Sequence, residues 1–330
     1  GSESPMVTLI AETESYAANA IRRYRALGPV HFWFEMGAKE RKAVLPEVEL
    51  LVVRLAVNVT EAFIDEMPRL KCIATSTTGL NHIDVAHAEE KGIEIISLRG
   101  RTDFLKLIPS TAEETMALTL ALIRRIPWAF DDVKRGEWNA NRWTGNELKG
   151  KTMGLIGFGR LGSLVAGYAR AFGMVVVACD PNVSKAAMAK RGVKKVALDA
   201  LLKNSDIVSL HVLLTEGTTG MLRRNHFKIM KADAIFINTA RAELIEPGAL
   251  HRALEAKEIV GAAVDVLDGE TSDASHLKKD SLWKYAKGHE NLIIVPHIGG
   301  TTKEAKETTQ NFLAEIVAKR VRKFLGAERK

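Results

Sequence analysis

The stretch GLIGFGRLGSLVAGYARAFGMVVVACD, residues 154–180, constrains the fold more than any other part of this chain. An apolar run, three glycines, a helix-compatible segment, a second apolar run and an acid follow in order, which predicts a βαβ unit. Gly157, Gly159 and Gly162 form the pattern G-x-G-x-x-G, with Arg160 and Leu161 inside it. The first glycine permits a tight turn, the second lets backbone approach a pyrophosphate, and the third lets helix and strand pack closely. The helix N-terminus then offers unpaired N–H groups and partial positive charge to phosphate oxygens. Asp180 lies 18 residues after Gly162, where a carboxylate can accept from ribose hydroxyls and repel a 2′-phosphate. The unit therefore reads as an NAD site rather than an NADP site.

The rest of the chain alternates in the same way. The runs VTLIAE, VELLVVRL, LKCIATS and IEIISL precede it, and strands are expected near 153–157, 174–180, 206–212, 234–238, 261–266 and 291–295. Such alternation with helical segments marks parallel sheets flanked by helices. At 330 residues the chain suits two domains of roughly 100–200 residues each. Residues 110–126, STAEETMALTLALIRRI, read as one buried helix capped by Ser110 or Thr111, with Glu113 and Glu114 favouring its positive end. A Trp- and Asn-rich arm follows, and a last amphipathic helix from about Lys303 to Phe324 is expected to fold back onto the first domain.

Bulk properties narrow the function. No apolar run approaches the roughly 20 residues of a membrane helix, and neither a signal peptide nor a membrane partner is expected. Gly1-Ser2 reads as an expression scar. The net charge of +7 is spread along the chain, and its densest run, AKRVRKF, reads as a solvated helix face, so no nucleic-acid partner is expected. The two cysteines, Cys72 and Cys179, sit in strand-like runs as small hydrophobes, which suits a reducing cytoplasm.

A nicotinamide cofactor carries no substrate chemistry alone. Interconverting a 2-hydroxy acid and a 2-keto acid also needs a cation for the carboxylate and an acid/base for the oxygen. The candidates stand at strand ends, where ligands gather in open α/β sheets. Arg241 follows FINTA, Asp265 and Glu270 close AAVDVLDGE, and His297 closes LIIVPH ahead of Gly299.

These segments, in this order, resemble the D-isomer-specific 2-hydroxyacid dehydrogenase family over nearly the whole chain, from LLVVRLAVNVTEAFIDEMPRLKCIATSTTGLNHID to VPHIGG. The resemblance implies two doubly wound parallel-sheet α/β domains with a cleft between them. A flavodoxin-like substrate domain would span 6–107 plus 302–330, and a Rossmann NAD-binding domain 108–301. It implies that Arg241 holds the substrate carboxylate, that His297 transfers the proton, and that Glu270 pairs with His297 and raises its pKa. It also implies cofactor contacts from Gly157, Gly159, Arg160, Leu161, Gly162, Asp180, His211, Val212, Leu213, Thr239, Ala240, Asp265 and Gly299. A homodimer formed by the 110–126 helix and the arm with Trp128, Trp138 and Trp143 is implied as well, and no metal is.

Within the family the phosphoglycerate dehydrogenase branch is the most similar. Arg54 matches a substrate-touching arginine of that branch, Thr75 stands where some members carry another arginine, and the loop residues Thr77, Thr78 and Gly79 offer amides to a carboxylate. Two stretches, 97–109 and 271–291, are longer than the family's usual loops. No C-terminal regulatory domain follows, so feedback control is not expected. Two alternatives share the motifs: an NAD-sensing corepressor, and a dehydrogenase of phosphite.

Overall fold

The computed structural model describes residues 5–13, 15–105 and 108–327. Gly1-Ser2 and residues 106–107 of the long 97–109 stretch lie outside them. The chain divides into two compact units, one of Gly1–Phe104, Thr271–Asp273 and Thr302–Lys330, the other of Leu105–Glu270 and Ala274–Thr301.

The first unit holds β1 (Thr8–Ala11), β2 (Val30–Phe32), β3 (Leu50–Val53), β4 (Cys72–Thr75) and β5 (Glu94–Ile96). They form one parallel sheet in the order β2-β1-β3-β4-β5, which turns back on itself between β1 and β3. β1, β3 and β4 are buried throughout. This explains why they read as continuous apolar runs rather than alternating ones: helices cover both faces of a parallel sheet. The pleat still sorts them. Ile10, Leu50, Val52 and Ala74 pack on one face with Tyr24, Leu313, Ala314 and Val317, while Leu9, Leu51, Val53 and Ile73 pack on the other with Ile64, Met67 and Ile83.

The final helix, Lys303–Ala327, supplies part of the first face. Gln310 pins it by donating to Glu12 Oε2 at 2.9 Å and accepting from the Ala17 amide at 2.8 Å. The edge strand β2 is only three residues long, and all three are half-buried.

The second unit holds β6 (Thr152–Ile156), β7 (Val175–Cys179), β8 (Lys194–Lys195), β9 (Ile207–Leu210), β10 (Ile235–Asn238), β11 (Gly261–Val264) and β12 (Leu292–Ile294). All pair in parallel, in the order β12-β11-β10-β9-β6-β7-β8, so the winding reverses between β6 and β9. Both sheets are thus doubly wound, one in the flavodoxin-like order and one in the Rossmann order.

Three local expectations need correction. The helix expected over 110–126 is two helices, Ser110–Ile123 and Ile126–Lys134, separated by Arg125 at φ +56°. Pro127 is the reason, because it has no N–H to give the Ile123 carbonyl, which accepts instead from the Asn146 amide at 3.0 Å. Neither Ser110 nor Thr111 caps the first helix. Pro109 stands at the cap without a side-chain bond, and Ser110 is buried inside the first turn. The two long stretches are not plain loops either: 97–109 contains the helix Thr102–Leu105, and 271–291 contains the helix Ser281–Ala286, capped by Asp280. No helix among the described residues is long and apolar enough to cross a membrane.

Candidate active site

The glycine turn leaves β6 at the point where the sheet reverses. Gly157 sits at φ +92°, and a Cβ there would lie 2.2 Å from the His211 carbonyl oxygen. Conformation and space both demand glycine. At Gly162 a Cβ would meet the Gly157 carbonyl oxygen at 2.4 Å, so the helix Arg160–Ala171 packs against its own turn. Gly159, by contrast, faces open space: a Cβ placed there would have nothing within 4 Å. That is the cradle a phosphate group needs. Asp180 closes the far side, accepting from the Phe158 amide at 2.9 Å and the Asn182 amide at 2.8 Å. Its carboxylate is therefore held in place by the turn it serves.

Two residues inside the turn point elsewhere. The Arg160 guanidinium donates to the carbonyls of Leu105 and Ile108, at 2.9 and 3.1 Å, and Leu161 packs into the core. After β9, the His211 amide donates to Ile156 O, and its Nε2 lies 2.8 Å from Ser209 Oγ. Burial pushes His211 down to about 4, which keeps the imidazole neutral. Val212 is half-buried and Leu213 is 82% exposed.

Three neighbouring strand ends assemble the candidate chemistry. After β10, the buried Asn238 accepts from the Ala240 amide at 2.9 Å and donates to the Arg241 carbonyl at 3.0 Å, clamping the turn that presents Arg241. The Arg241 Nη1 in turn donates to Ala240 O at 2.7 Å. After β11, Glu270 accepts from the Leu267 amide through Oε1, and its Oε2 lies 2.6 Å from His297 Nδ1. Burial would raise the Glu270 carboxyl, but the hydrogen bond and charge of His297, the Leu267 amide and the Arg241 charge outweigh it and hold the carboxyl below its ordinary range. His297 follows β12 at φ +54°, a left-handed conformation that a residue with a side chain rarely adopts. Its backbone is tied down by an N–H bond to Asp265 O at 2.9 Å.

Arg54 and residues 77–79 belong to the first unit. They follow β3 and β4, which pair with Val53 opposite Thr75, so they share one end of one sheet, beside its point of reversal. The loop is braced from within: Thr77 Oγ1 donates to Gly79 O at 2.7 Å, and Thr75 Oγ1 lies 2.8 Å from Thr77 Oγ1 and 3.0 Å from His82 Nε2. Thr75 itself is fully buried.

Residues 116–299 match the description of the D-isomer specific 2-hydroxyacid dehydrogenase, NAD binding domain. The chain belongs to the D-isomer-specific 2-hydroxyacid dehydrogenase family. It is 36% identical over 315 residues to a D-3-phosphoglycerate dehydrogenase of Methanocaldococcus jannaschii, covering 95% of this chain and 57% of that protein. This chain thus spans little more than half the length of that relative. It is 38% identical over 280 residues to a hydroxypyruvate reductase of Thermotoga maritima, covering 85% of this chain and 87% of that one. A solved D-lactate dehydrogenase of Aquifex aeolicus, complexed with NAD and lactic acid, superposes with a TM-score of 0.75 at 29% identity, covering 97% of this chain and 96% of that chain.

In this family member, the pattern of residues alone does not reveal the role of one face of the Ser110–Ile123 helix. Thr111, Glu114 and Thr115 share that face, which lies against Thr239, Asp265 and Gly299. Thr115 Oγ1 lies 2.8 Å from Thr239 Oγ1, which turns the Thr239 hydroxyl into the protein. Glu114 faces Asp265 across Gly299: a Cβ on that glycine would stand 2.7 Å from Glu114 Oε2, 3.0 Å from Asp265 Oδ2 and 3.0 Å from Thr111 Oγ1. The available signal is a set of polar residues spaced three and four apart in a helix whose later turns are mostly apolar. From sequence, Glu114 reads only as an acid favoured by the helix dipole.

Proposed function

We propose that this chain is an NAD-dependent dehydrogenase that interconverts a D-2-hydroxy acid and its 2-keto acid. One observation carries the reading: His297, with Glu270 at 2.6 Å and the Arg241 charge acting on that carboxylate, stands at strand ends of the unit that also holds the glycine turn. The open cradle at Gly159 and the anchored Asp180 carboxylate fit a dinucleotide with a free 2′-hydroxyl. The proposed cofactor contacts are the turn from Gly157 to Gly162, Asp180, the backbone from His211 to Leu213, Thr239, Ala240, Asp265 and Gly299. When bound, the cofactor supplies or accepts the hydride.

The residues do the rest. Arg241 grips the substrate carboxylate with its planar, permanently charged fork. His297 gives a proton from Nε2 to the keto oxygen in reduction and takes it back in oxidation, while Nδ1 stays on Glu270. Arg54 and residues 77–79 are proposed as further substrate contacts. We assign residues 6–107 and 302–330 to a substrate-binding domain and 108–301 to an NAD-binding domain.

A panel of 2-keto acids measures this directly: glyoxylate, hydroxypyruvate, phosphohydroxypyruvate, pyruvate and larger members, each with NADH and NADPH. Consumption of NADH in preference to NADPH with at least one of them is expected. No turnover across the panel rejects the reading, and phosphite-dependent NADH formation replaces it with the phosphite alternative.

We also propose a cytoplasmic homodimer. Its support is a group of exposed apolar side chains, Ile126, Phe130, Val133 and Trp138, the last 89% exposed, along the Ile126–Lys134 helix and the arm after it. Trp143 is spent internally, donating to Asp132 Oδ2 at 3.0 Å, and Trp128 packs on the core. The unpaired thiols of Cys72 and Cys179 support a reducing compartment. A monomeric mass by light scattering at micromolar concentration would count against the dimer.

A further inference from the structure

Three consecutive amides reach one aspartate. His297 N donates to the Asp265 carbonyl oxygen at 2.9 Å and shares that hydrogen with Val295 O at 3.0 Å, while Ile298 N donates to Asp265 Oδ1 at 2.6 Å and Gly299 N to Asp265 Oδ2 at 2.9 Å. A left-handed histidine persists only where its surroundings over-determine it, and Asp265 supplies most of the bonds that hold this turn, with Val295 O sharing the His297 amide. Whatever steadies Asp265 therefore steadies the turn that carries His297.

Against Asp265 stands a second carboxyl. Both Glu114 oxygens are buried, and neither receives an N–H or O–H from the described residues. Gly299 leaves just enough room for Glu114 Oε2 to approach Asp265 Oδ2. Two ionised carboxylates cannot share such a place, but a carboxylic acid and a carboxylate can. We propose that Glu114 is a positioning residue, which in its protonated form donates its O–H to the Asp265 carboxylate and so holds the turn that carries His297.

The division of the proton follows from the surroundings. Burial, then the charge of Asp265, push the Glu114 carboxyl up to about 8. Burial raises Asp265 too, but the Ile298 amide, the His297 charge and the Gly299 amide favour its anion. The charged groups around the pair are His297 and, through it, Glu270 and Arg241. None of them hydrogen-bonds Glu114. Above the Glu114 midpoint the pair becomes two anions, Asp265 loses a donor, and the turn loosens.

The importance of the turn rests on the reading of His297 as the proton carrier, but the pair can be tested without turnover. In the unliganded protein, infrared difference spectra of the wild type and E114Q should show one protonated carboxyl at neutral pH that disappears at alkaline pH and is missing from E114Q. The amide resonances of Ile298 and Gly299 should move with that same midpoint in the wild type and stay put in E114Q, whose side chain donates at every pH.

Kinetics add a second reading in the oxidative direction. There His297 must be neutral, so its own titration only raises the rate with pH, and ionisation of Glu114 adds a fall at the alkaline end. E114Q should lose that fall, while E114L, which has no donor, should lower kcat about tenfold at all pH with little change in KM for the cofactor. An ionised Glu114 at neutral pH, or Ile298 and Gly299 amides that titrate equally in E114Q, overturns the proposal. Observing the carboxyl signal and the amide shifts without turnover of any 2-hydroxy acid would instead leave the pair standing and reject the proposed function.

Discussion

His297 and His87 each hydrogen-bond a carboxylate, Glu270 at 2.6 Å and Asp65 at 2.8 Å, yet their surroundings have little in common. His87 sits in regular helix, on Val85–Glu90 of the first unit, and its partner Asp65 ends the helix Glu61–Asp65. Glu61 approaches its other ring nitrogen at 3.9 Å, and Lys91 shares Asp65 at 3.0 Å. Its charge is thus answered on both sides at the surface. His297 stands in a left-handed conformation after a strand, with one nitrogen held and the Arg241 charge close by. A histidine–carboxylate pair is therefore no marker of a site by itself. What distinguishes His297 is a strand end, a backbone that residues with side chains rarely adopt, and a cation, Arg241, acting on its carboxylate partner.

The sharpest break of this comparison is the asparagine variant of each histidine. H297N should lose about 10²- to 10⁴-fold in kcat, the usual worth of a positioned acid/base, with NADH binding retained by fluorescence titration. H87N should stay within about twofold. Equal losses would erase the distinction. Next in size, R241K keeps the charge but loses the fork, so KM for the keto acid should rise about 10- to 100-fold, with a smaller change in kcat. An unchanged KM would show that Arg241 does not hold the substrate.

E270Q probes the pair itself. It keeps the hydrogen-bonding shape and removes the charge beside the imidazole, so kcat for keto-acid reduction should fall with little change in cofactor binding. An unchanged kcat, with proton transfer shown to limit the rate, would dismiss Glu270 from this role.

The smallest effect belongs to the surface pair. The hydrogen bond that His87 Nε2 donates to Asp65, first among several causes, holds His87 above its ordinary value, and the same bond holds Asp65 below its own. A raised histidine stabilises below its unfolded pKa and loses that contribution as pH rises through the folded value. A depressed aspartate stabilises above its unfolded pKa and loses it as pH falls through the folded value. D65N should therefore lower the His87 midpoint, read from its ring resonances, and leave turnover unchanged. A change in the rate profile would make the two pairs more alike than their settings imply.

The parallel sheets, the glycine turn with Asp180, and Arg241, Glu270 and His297 are legible in the order of residues because each is locally encoded. Strands buried on both faces are apolar runs, and a turn that must admit a phosphate needs glycines at fixed spacing. β2 and β8 are not legible, because edge strands of three and two residues are too short to show a buried run or a period. The end at Ile123 of the helix expected over 110–126 is not legible either, because apolar residues continue past the break while the missing N–H of Pro127 is felt only where a carbonyl must find another donor.

The order of residues alone settles which groups stand at the carboxyl ends of strands, since each follows its own strand directly. Only the folded chain decides which of them meet. Asp180 proves to be held by the turn it serves, and the Arg160 guanidinium is spent on the carbonyls of Leu105 and Ile108. Glu114, from a helix distant in sequence, lies against Asp265 because Gly299 leaves it room. Those pairings depend on side chains brought together across a core, where burial turns an ordinary carboxyl into one that keeps its proton, and no local pattern of residues encodes burial between distant segments.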